Sequence, residues 1–329
     1  MGINLGRILS PEELHLENVA VQNVLEKLVT EWLWTNLQST GGKIGEPHSI
    51  NDMASKTLDI KNEDLFYEAI EWVDDEYVIK EGDKLKFKKP APTGTTVNYL
   101  LNKEPARDFA ETYAVFIDFV HAGMDKLLLG TVKHGHFDPS AWEKVLGGSF
   151  YANSRRREME YGGLAEFLKA RESTPKILDF GCGTGHSLLQ VQAYLESRGI
   201  IDYEFYGYDP SPGMVEMAQN RIPSLQPYVL GDPTNTIQFD VVLAFFCHHF
   251  IPPEQQRPTM ALFDQIIKSP GKFLGIGGFC EVDYNPAQDP LVKLIGGAGS
   301  PSEEFKSWFT GTSFEVNVNT FELVFCCNK

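Results

Sequence analysis

Apolar positions along this chain change their spacing once, near residue 175. Before that point they recur three and four residues apart. Val21, Val24, Leu25, Leu28, Trp32 and Leu33 make one such stripe, and the spacing predicts an amphipathic helix. Ser10-Pro11-Glu12-Glu13 starts it with a hydroxyl cap, a proline in the first turn and a glutamate three residues on. Gly41-Gly42 ends it. Ser49 is placed to cap a short helix through Ala54, and Leu65, Phe66, Ala69, Ile70 and Val73 mark one face of a third helix. Tyr77 to Ile79 and Leu85 to Phe87 read as short strands joined by Glu81-Gly82-Asp83.

Three helices and a hairpin over residues 1–92 make a winged-helix pattern. Lys89-Pro90-Ala91-Pro92-Thr93-Gly94 is a linker. A second long stripe follows, with Phe109, Tyr113, Phe116, Ile117, Val120, Met124 and Leu127. Residues 134–148 lack a pattern, and 155–170 read as helix. The region 93–174 is therefore expected to be a helical linker and lid.

From Lys176 strands alternate with helices. The strand candidates are Lys176 to Phe180, Tyr203 to Tyr208, Pro227 to Leu230, Phe239 to Phe246 and Gly271 to Phe279. Between them Ser187 to Ser197, Gly213 to Arg221 and Thr259 to Lys268 read as helices. Such alternation predicts an α/β fold with a doubly wound, mostly parallel sheet over residues 175–329. Phe314 to Val318 and Phe321 to Cys326 are expected to add an antiparallel hairpin at its edge.

A length of 329 residues suits two domains. Apolar runs such as Val241 to Cys247 fall far short of the roughly 20 residues of a membrane span. The N-terminal residues lack a signal-peptide pattern, so a soluble, cytoplasmic protein is expected. The net charge of −16 opposes contact with nucleic acid and anionic membranes. Lys80, Lys84, Lys86, Lys88 and Lys89 form a local basic cluster on the hairpin. The third helix, which would have to read DNA, carries Glu63, Asp64, Glu68, Glu71, Asp74 and Asp75. Those carboxylates weigh against a DNA-binding regulator. The five cysteines include no C-x-x-C pair, so a disulfide framework or zinc knuckle is not expected.

Candidate chemistry centres on Lys176-Ile177-Leu178-Asp179-Phe180-Gly181-Cys182-Gly183-Thr184-Gly185-His186-Ser187, a strand running through a glycine turn into a helix. Glycines there allow a sharp turn and close ligand approach, and the helix start offers free N–H groups. His186 stands where the dinucleotide fingerprint needs glycine, and no Gly-Lys-Ser/Thr is present for a phosphate-binding P-loop. The pattern that fits is D-x-G-x-G-x-G, which resembles the S-adenosylmethionine (SAM) site of class I methyltransferases. The resemblance implies a Rossmann-like, seven-stranded sheet with SAM as cofactor. It further implies that Asp179, Gly181, Cys182, Gly183 and Gly185 hold the methionine end and that Asp209 before Pro210 takes the ribose hydroxyls. Met214 and the Gly231-Asp232 pair would meet adenine, with Phe246 bordering the cofactor and Tyr151 covering it.

The fourth strand ends in Cys247-His248-His249-Phe250, where a histidine has a pKa suited to a general base. The segment resembles the His-Asp-Trp of small-molecule O-methyltransferases that carry an N-terminal winged helix. In that register His248 is the base, while His249 and Phe250 replace the acid and the Trp. Shaping of the cofactor pocket by both histidines is the alternative. Metal ligation by Cys247, His248 and His249 with Asp232 or Glu281 is disfavoured, because neighbours on a strand face opposite ways. Cys182 reads as a small filler rather than a nucleophile. Glu281 and Asp283 follow strand five, either near substrate or in a solvated loop. The lid, with Phe116, Phe119, His121 and the segment 149–157, is expected to form the acceptor pocket, where an arginine would meet a carboxylate of cofactor or substrate. The expected activity is methylation of a hydroxyl on a small molecule, in the manner of secondary metabolism. Carbon or nitrogen acceptors, including an acyl group on a carrier protein, are the alternative. Trp32, Leu33, Trp34 and Leu37 are candidates for a homodimer interface.

Overall fold

A computed structural model describes residue 3 and residues 5–91, 120–131, 148–279 and 288–329. Contacts divide the chain into two compact units. One comprises His15–Val145 with Asn285–Gly297, the other Met1–Leu14, Leu146–Tyr284 and Ala298–Lys329.

The first unit is built on the helix Pro11–Ser39. Its start is a reciprocal cap: the Ser10 N–H donates to Glu13 Oε2 at 2.7 Å and the Glu13 N–H to Ser10 Oγ at 3.3 Å. Ser49 Oγ accepts the Asp52 N–H at the next helical turn, Ile50–Asp52, which continues as a π turn through Thr57. Asn62 caps the helix Glu63–Ile70, whose Leu65, Phe66, Ala69 and Ile70 are buried. The hairpin is present as β2 (Val78–Glu81) and β3 (Lys84–Phe87). A strand the alternation did not predict, β1 (Pro47–Ser49), pairs antiparallel with β3. Among the long second stripe, residues 120–129 are helical, with Val120, Met124 and Leu128 buried. Phe109, Tyr113, Phe116, Ile117 and Phe119 lie outside the described residues.

One expectation changes here. Trp32, Leu33, Trp34 and Leu37 are all at most 5% exposed, so they form this unit's own core and are not the exposed face a dimer would use. The Trp34 ring meets Phe87 at 4.8 Å, and the Trp32 indole N–H donates to the buried Asp125 at 2.9 Å. The basic cluster is also largely matched in place. Lys80 pairs with Glu71, Lys89 with Glu76 at 2.6 Å, and the Lys88 ammonium reaches the Asp75 carbonyl.

In the second unit seven strands run in the order β6-β5-β4-β7-β8-β10-β9. They are β4 (Lys176–Phe180), β5 (Glu204–Tyr208), β6 (Gln226–Pro227), β7 (Phe239–Phe245), β8 (Ile267–Ile276), β9 (Glu315–Asn319) and β10 (Val324–Asn328). The first five are mutually parallel; β10 pairs antiparallel with β8 and β9. This is the doubly wound α/β fold, closed by the expected hairpin. Parallel central strands are buried on both faces, which accounts for the uninterrupted apolar run Val241–Phe245. Buried Asp240 anchors the start of β7, contacting Arg171 at 2.8 Å and Lys268 at 2.7 Å and accepting the Lys176 N–H at 2.9 Å. Helices Gln288–Leu294 and Ser302–Ser307 were not expected.

The unit boundary differs from the sequence reading. Helices Ser149–Tyr161 and Leu164–Lys169 belong with the sheet rather than with a separate lid. Met159, Leu164, Ala165 and Leu168 share a core cluster with Ile177, Val241, Leu243 and Leu274 from the sheet. Burial of that apolar face is the physical reason for the reassignment. Among the described residues no helix is long and apolar enough to cross a membrane.

Candidate cofactor and catalytic site

The loop between β4 and the helix His186–Ser197 is held from below. The N–H groups of Gly181 and Cys182 both donate to the Tyr208 carbonyl, at 2.7 and 2.9 Å. Gly181 has φ +75°, and a Cβ there would lie 2.6 Å from Cys247 Cβ. Gly183 also has positive φ, +51°, but a Cβ there would meet nothing within 4 Å. The loop is thus packed at its base and open at its crest. Arg221 ties it to the helix Pro212–Arg221, donating to the Thr184 carbonyl at 2.9 Å. The Cys182 side chain is buried against Gly207, and burial pushes its thiol pKa up, which makes it a filler.

Asp209 stands at the end of β5. Its Oδ2 accepts the Gly183 N–H at 3.0 Å and its Oδ1 the Ser211 N–H at 2.9 Å. Each oxygen keeps a lone pair, so a diol can still be received. Pro210 is exposed and Met214 half-buried on the next helix. Asp232 is held in a tight turn by the Thr234 N–H at 2.8 Å and hydroxyl at 2.7 Å, which lowers its pKa. With Gly231, Tyr228 and Gln238 it lines a cavity of about 410 Å³.

Asp179 is fully buried. Arg155 Nη2 reaches its Oδ1 at 3.1 Å, while Arg155 Nη1 holds Glu158 Oε2 at 2.6 Å. The guanidinium also lies 4.5 Å from the Phe245 ring centroid. Burial raises the pKa of Asp179, against the pull of Arg155. Its Oδ2 is buried without a hydrogen-bond partner. The arginine expected to meet a ligand carboxylate is corrected for Arg155, whose charge is engaged by these two acids. Arg155 and Glu158 as partners of Asp179 escaped the sequence reading. Their i, i+3 spacing was the available signal.

At the end of β7 the chain turns sharply. Phe246 has φ +49°, a strained value for a side chain of its size. Its ring packs on Tyr151 at 5.4 Å and Phe150 at 6.2 Å, giving an aromatic wall. Residues His248–Phe250 form a 3-10 turn rather than extended strand, so the two histidines do not alternate across a sheet. The His248 ring is enclosed by Phe325 at 5.1 Å, Phe279 and Phe305 at 5.4 Å and Trp308 at 6.4 Å. Burial holds its pKa well below the usual value, against a backbone contact with Gly277. His249 sits instead against the Gly277-Gly278 turn that follows β8, with Gly278 N–Cα–C placed so that a Cβ would be 2.7 Å from the His249 Cβ. Burial lowers its pKa to about 4. Among the described residues no three His, Cys, Asp or Glu side chains are placed to hold a metal; Glu281 and Asp283 lie outside them.

The His249 shift has a measurable consequence. The folded pKa, about 4, lies below the unfolded value of about 6.5. Between these pH values the unfolded chain binds the extra proton, so the contribution is complete above pH 6.5 and is lost as pH falls toward 4. The span corresponds to about 3 kcal/mol at most. Denaturant melts at pH 7.5 and 5 should show a larger acid loss for the parent than for a His249→Gln variant; equal losses would contradict the burial.

An orphaned carboxylate oxygen, an open glycine crest and an acid with spare lone pairs fit a cofactor that carries an ammonium and a ribose diol. SAM is such a molecule. Sheet order, loop and these acids are arranged as the fold of SAM-dependent methyltransferases requires. Residues 178–273 match the family described as Methyltransferase domain. That match places a methyltransferase domain in the second unit, with SAM as its cofactor. No curated protein sequence matches it. Among solved structures it is similar to the DszA carbon methyltransferase, at 18% identity over 99% of this chain and 94% of that one, with a TM-score of 0.65. It is also similar to the CurJ carbon methyltransferase, at 14% identity over 96% and 93% with a TM-score of 0.64. The CMeT domain of the citrinin polyketide synthase aligns at 15% identity over 100% and 98%, with a TM-score of 0.61. At these identities the likeness speaks to the fold.

Proposed function

We propose that the protein methylates a carbon of a small acyl acceptor, with His249 as the general base. The observation that carries the base assignment is the different setting of the two histidines. His248 is sealed in an aromatic shell, whereas His249 lies at the turn that ends β8, on the carboxyl side of the strands, where open α/β sheets bind their ligands. Its imidazole is neutral at pH 7. Asp179 faces the cofactor's ammonium, Asp209 its ribose, and Met214 and Asp232 its adenine. Tyr151 and Phe246 wall the methyl-bearing end from water. SAM, when bound, supplies a methyl group on a sulfonium that is already activated. The protein's task is to orient the acceptor and to remove its proton.

Carbon is favoured because a carbonyl-flanked C–H is acidic enough for a histidine, and because the full-length structural relatives named above are carbon methyltransferases, one of them from a polyketide synthase. A hydroxyl acceptor is the second reading, supported by the helices and hairpin of the N-terminal unit, the pattern that accompanies small-molecule O-methyltransferases. Incubation with SAM and either a 3-oxoacyl thioester of a pantetheine mimic or a simple phenol separates them. Mass spectrometry should find one added methylene mass on the thioester, at the carbon between its carbonyls. Methylation of the phenol alone would overturn the carbon reading. A stronger response with the thioester on a carrier protein would identify the acceptor's natural form.

A further inference from the structure

The geometry points to Arg155, Glu158 and Asp179 as a buried cluster that lacks one positive charge until the cofactor's ammonium arrives, so that cofactor binding drives one proton out of it. This rests on the assignment of SAM as cofactor and adds two positioning residues, Arg155 and Glu158, and a coupled proton. All three side chains are 0% exposed. Two carboxylates share one guanidinium, at 2.6 and 3.1 Å, which leaves a formal charge of −1 when all are ionised.

Among the described residues, the groups that act on Glu158 and Asp179 include no cation besides Arg155. Ser187 Oγ lies 3.4 Å from Arg155 Nη2, and the Phe245 ring covers the guanidinium. The Ala244 backbone faces Glu158, and Asp209, beyond the loop, adds further negative potential at Asp179. The thiols of Cys182 and Cys247 are near, but burial raises both pKa values and keeps them neutral. A net charge without solvent is costly, so a buried group in this position takes up a proton instead. Burial accordingly raises the pKa of both Glu158 and Asp179, against the pull of Arg155. One oxygen of each carboxylate, Asp179 Oδ2 and Glu158 Oε1, is buried without a side-chain partner, and Asp179 is the one that leads directly into the glycine loop. An ammonium placed there completes the balance. One carboxyl O–H bond breaks, its electron pair stays on oxygen, and the proton passes to buffer.

Calorimetry of the intact protein with S-adenosylhomocysteine tests this. At pH 6.5 the ligand's own amine is protonated, since α-amino groups titrate near 7.7–8.0. Titrations in two buffers of different ionisation enthalpy should show release of about half a proton or more per ligand. Methylthioadenosine, which keeps the nucleoside and lacks the ammonium, should release none. A Glu158→Gln protein should release none with either ligand and bind S-adenosylhomocysteine more than about tenfold more weakly. Tight S-adenosylhomocysteine binding without proton release overturns the cluster while leaving the cofactor assignment intact. Equal release by methylthioadenosine does the same. Failure of the parent protein to bind S-adenosylhomocysteine at all overturns the cofactor assignment. The comparison of the two ligands on the parent protein decides the matter even if Glu158→Gln does not fold.

Discussion

A Gly183→Ala protein should fold, melt within a few degrees of the parent, and bind SAM roughly ten- to a hundredfold more weakly. The two halves of this expectation have separate causes. Alanine at φ +51° pays a backbone penalty of about 1 kcal/mol, a shift of roughly 2–4 °C for a unit of this size. Among the described residues, no atom beyond its chain neighbours lies within 4 Å of the added Cβ, so packing adds nothing to that penalty. The methyl instead occupies the crest that a ligand must approach, where overfilling costs about 1–3 kcal/mol of binding. Gly181→Ala behaves differently. Its Cβ would sit 2.6 Å from Cys247 Cβ, so the loop or the end of β7 must move and the fold itself should suffer. Thermal melts paired with calorimetry distinguish the two. Full SAM affinity in Gly183→Ala would mean that the crest does not face the cofactor.

The second large effect concerns the histidines. His249→Gln should lower kcat by roughly 10²–10⁴, the usual contribution of a general base, with SAM affinity retained. His248→Leu should leave turnover near that of the parent and should not destabilise the fold. The imidazole it replaces is buried and held neutral inside a ring of Phe279, Phe305, Trp308 and Phe325. Exchanging a neutral buried ring for an apolar side chain of similar size costs little. Single-turnover rates on the two proteins decide between them. Loss of chemistry in His248→Leu with normal chemistry in His249→Gln would reverse the assignment.

The glycine loop was legible because its information is local. Asp179, Gly181, Gly183 and Gly185 state their spacing within seven residues, and the strand, turn and helix that position them are neighbours in sequence. The parallel strands were legible for a related reason: burial on both faces leaves an uninterrupted apolar run such as Val241–Phe245. What escaped depends on distant packing. Arg155 belongs to a run of three arginines expected to offer a charge to a ligand carboxylate, and only docking of its helix on the sheet shows that it faces Asp179. Trp32 and Trp34 read as spare apolar surface because their cover comes from Asp125 and Phe87, far along the chain. Which histidine faces the acceptor was not legible from spacing, because β7 ends at Phe245 and the chain then enters a 3-10 turn, where strand alternation does not apply. The three-residue β1 and the six-residue helix Ser302–Ser307 are too short for any period to show.

The central claim is that the glycine loop, Asp179 and Asp209 form a SAM site. Titration calorimetry of the full chain with SAM, and separately with NAD, tests it most directly. The account predicts saturable binding of one SAM per chain and no measurable heat with NAD, since His186 stands where a dinucleotide site needs glycine. Binding of NAD without binding of SAM would contradict it.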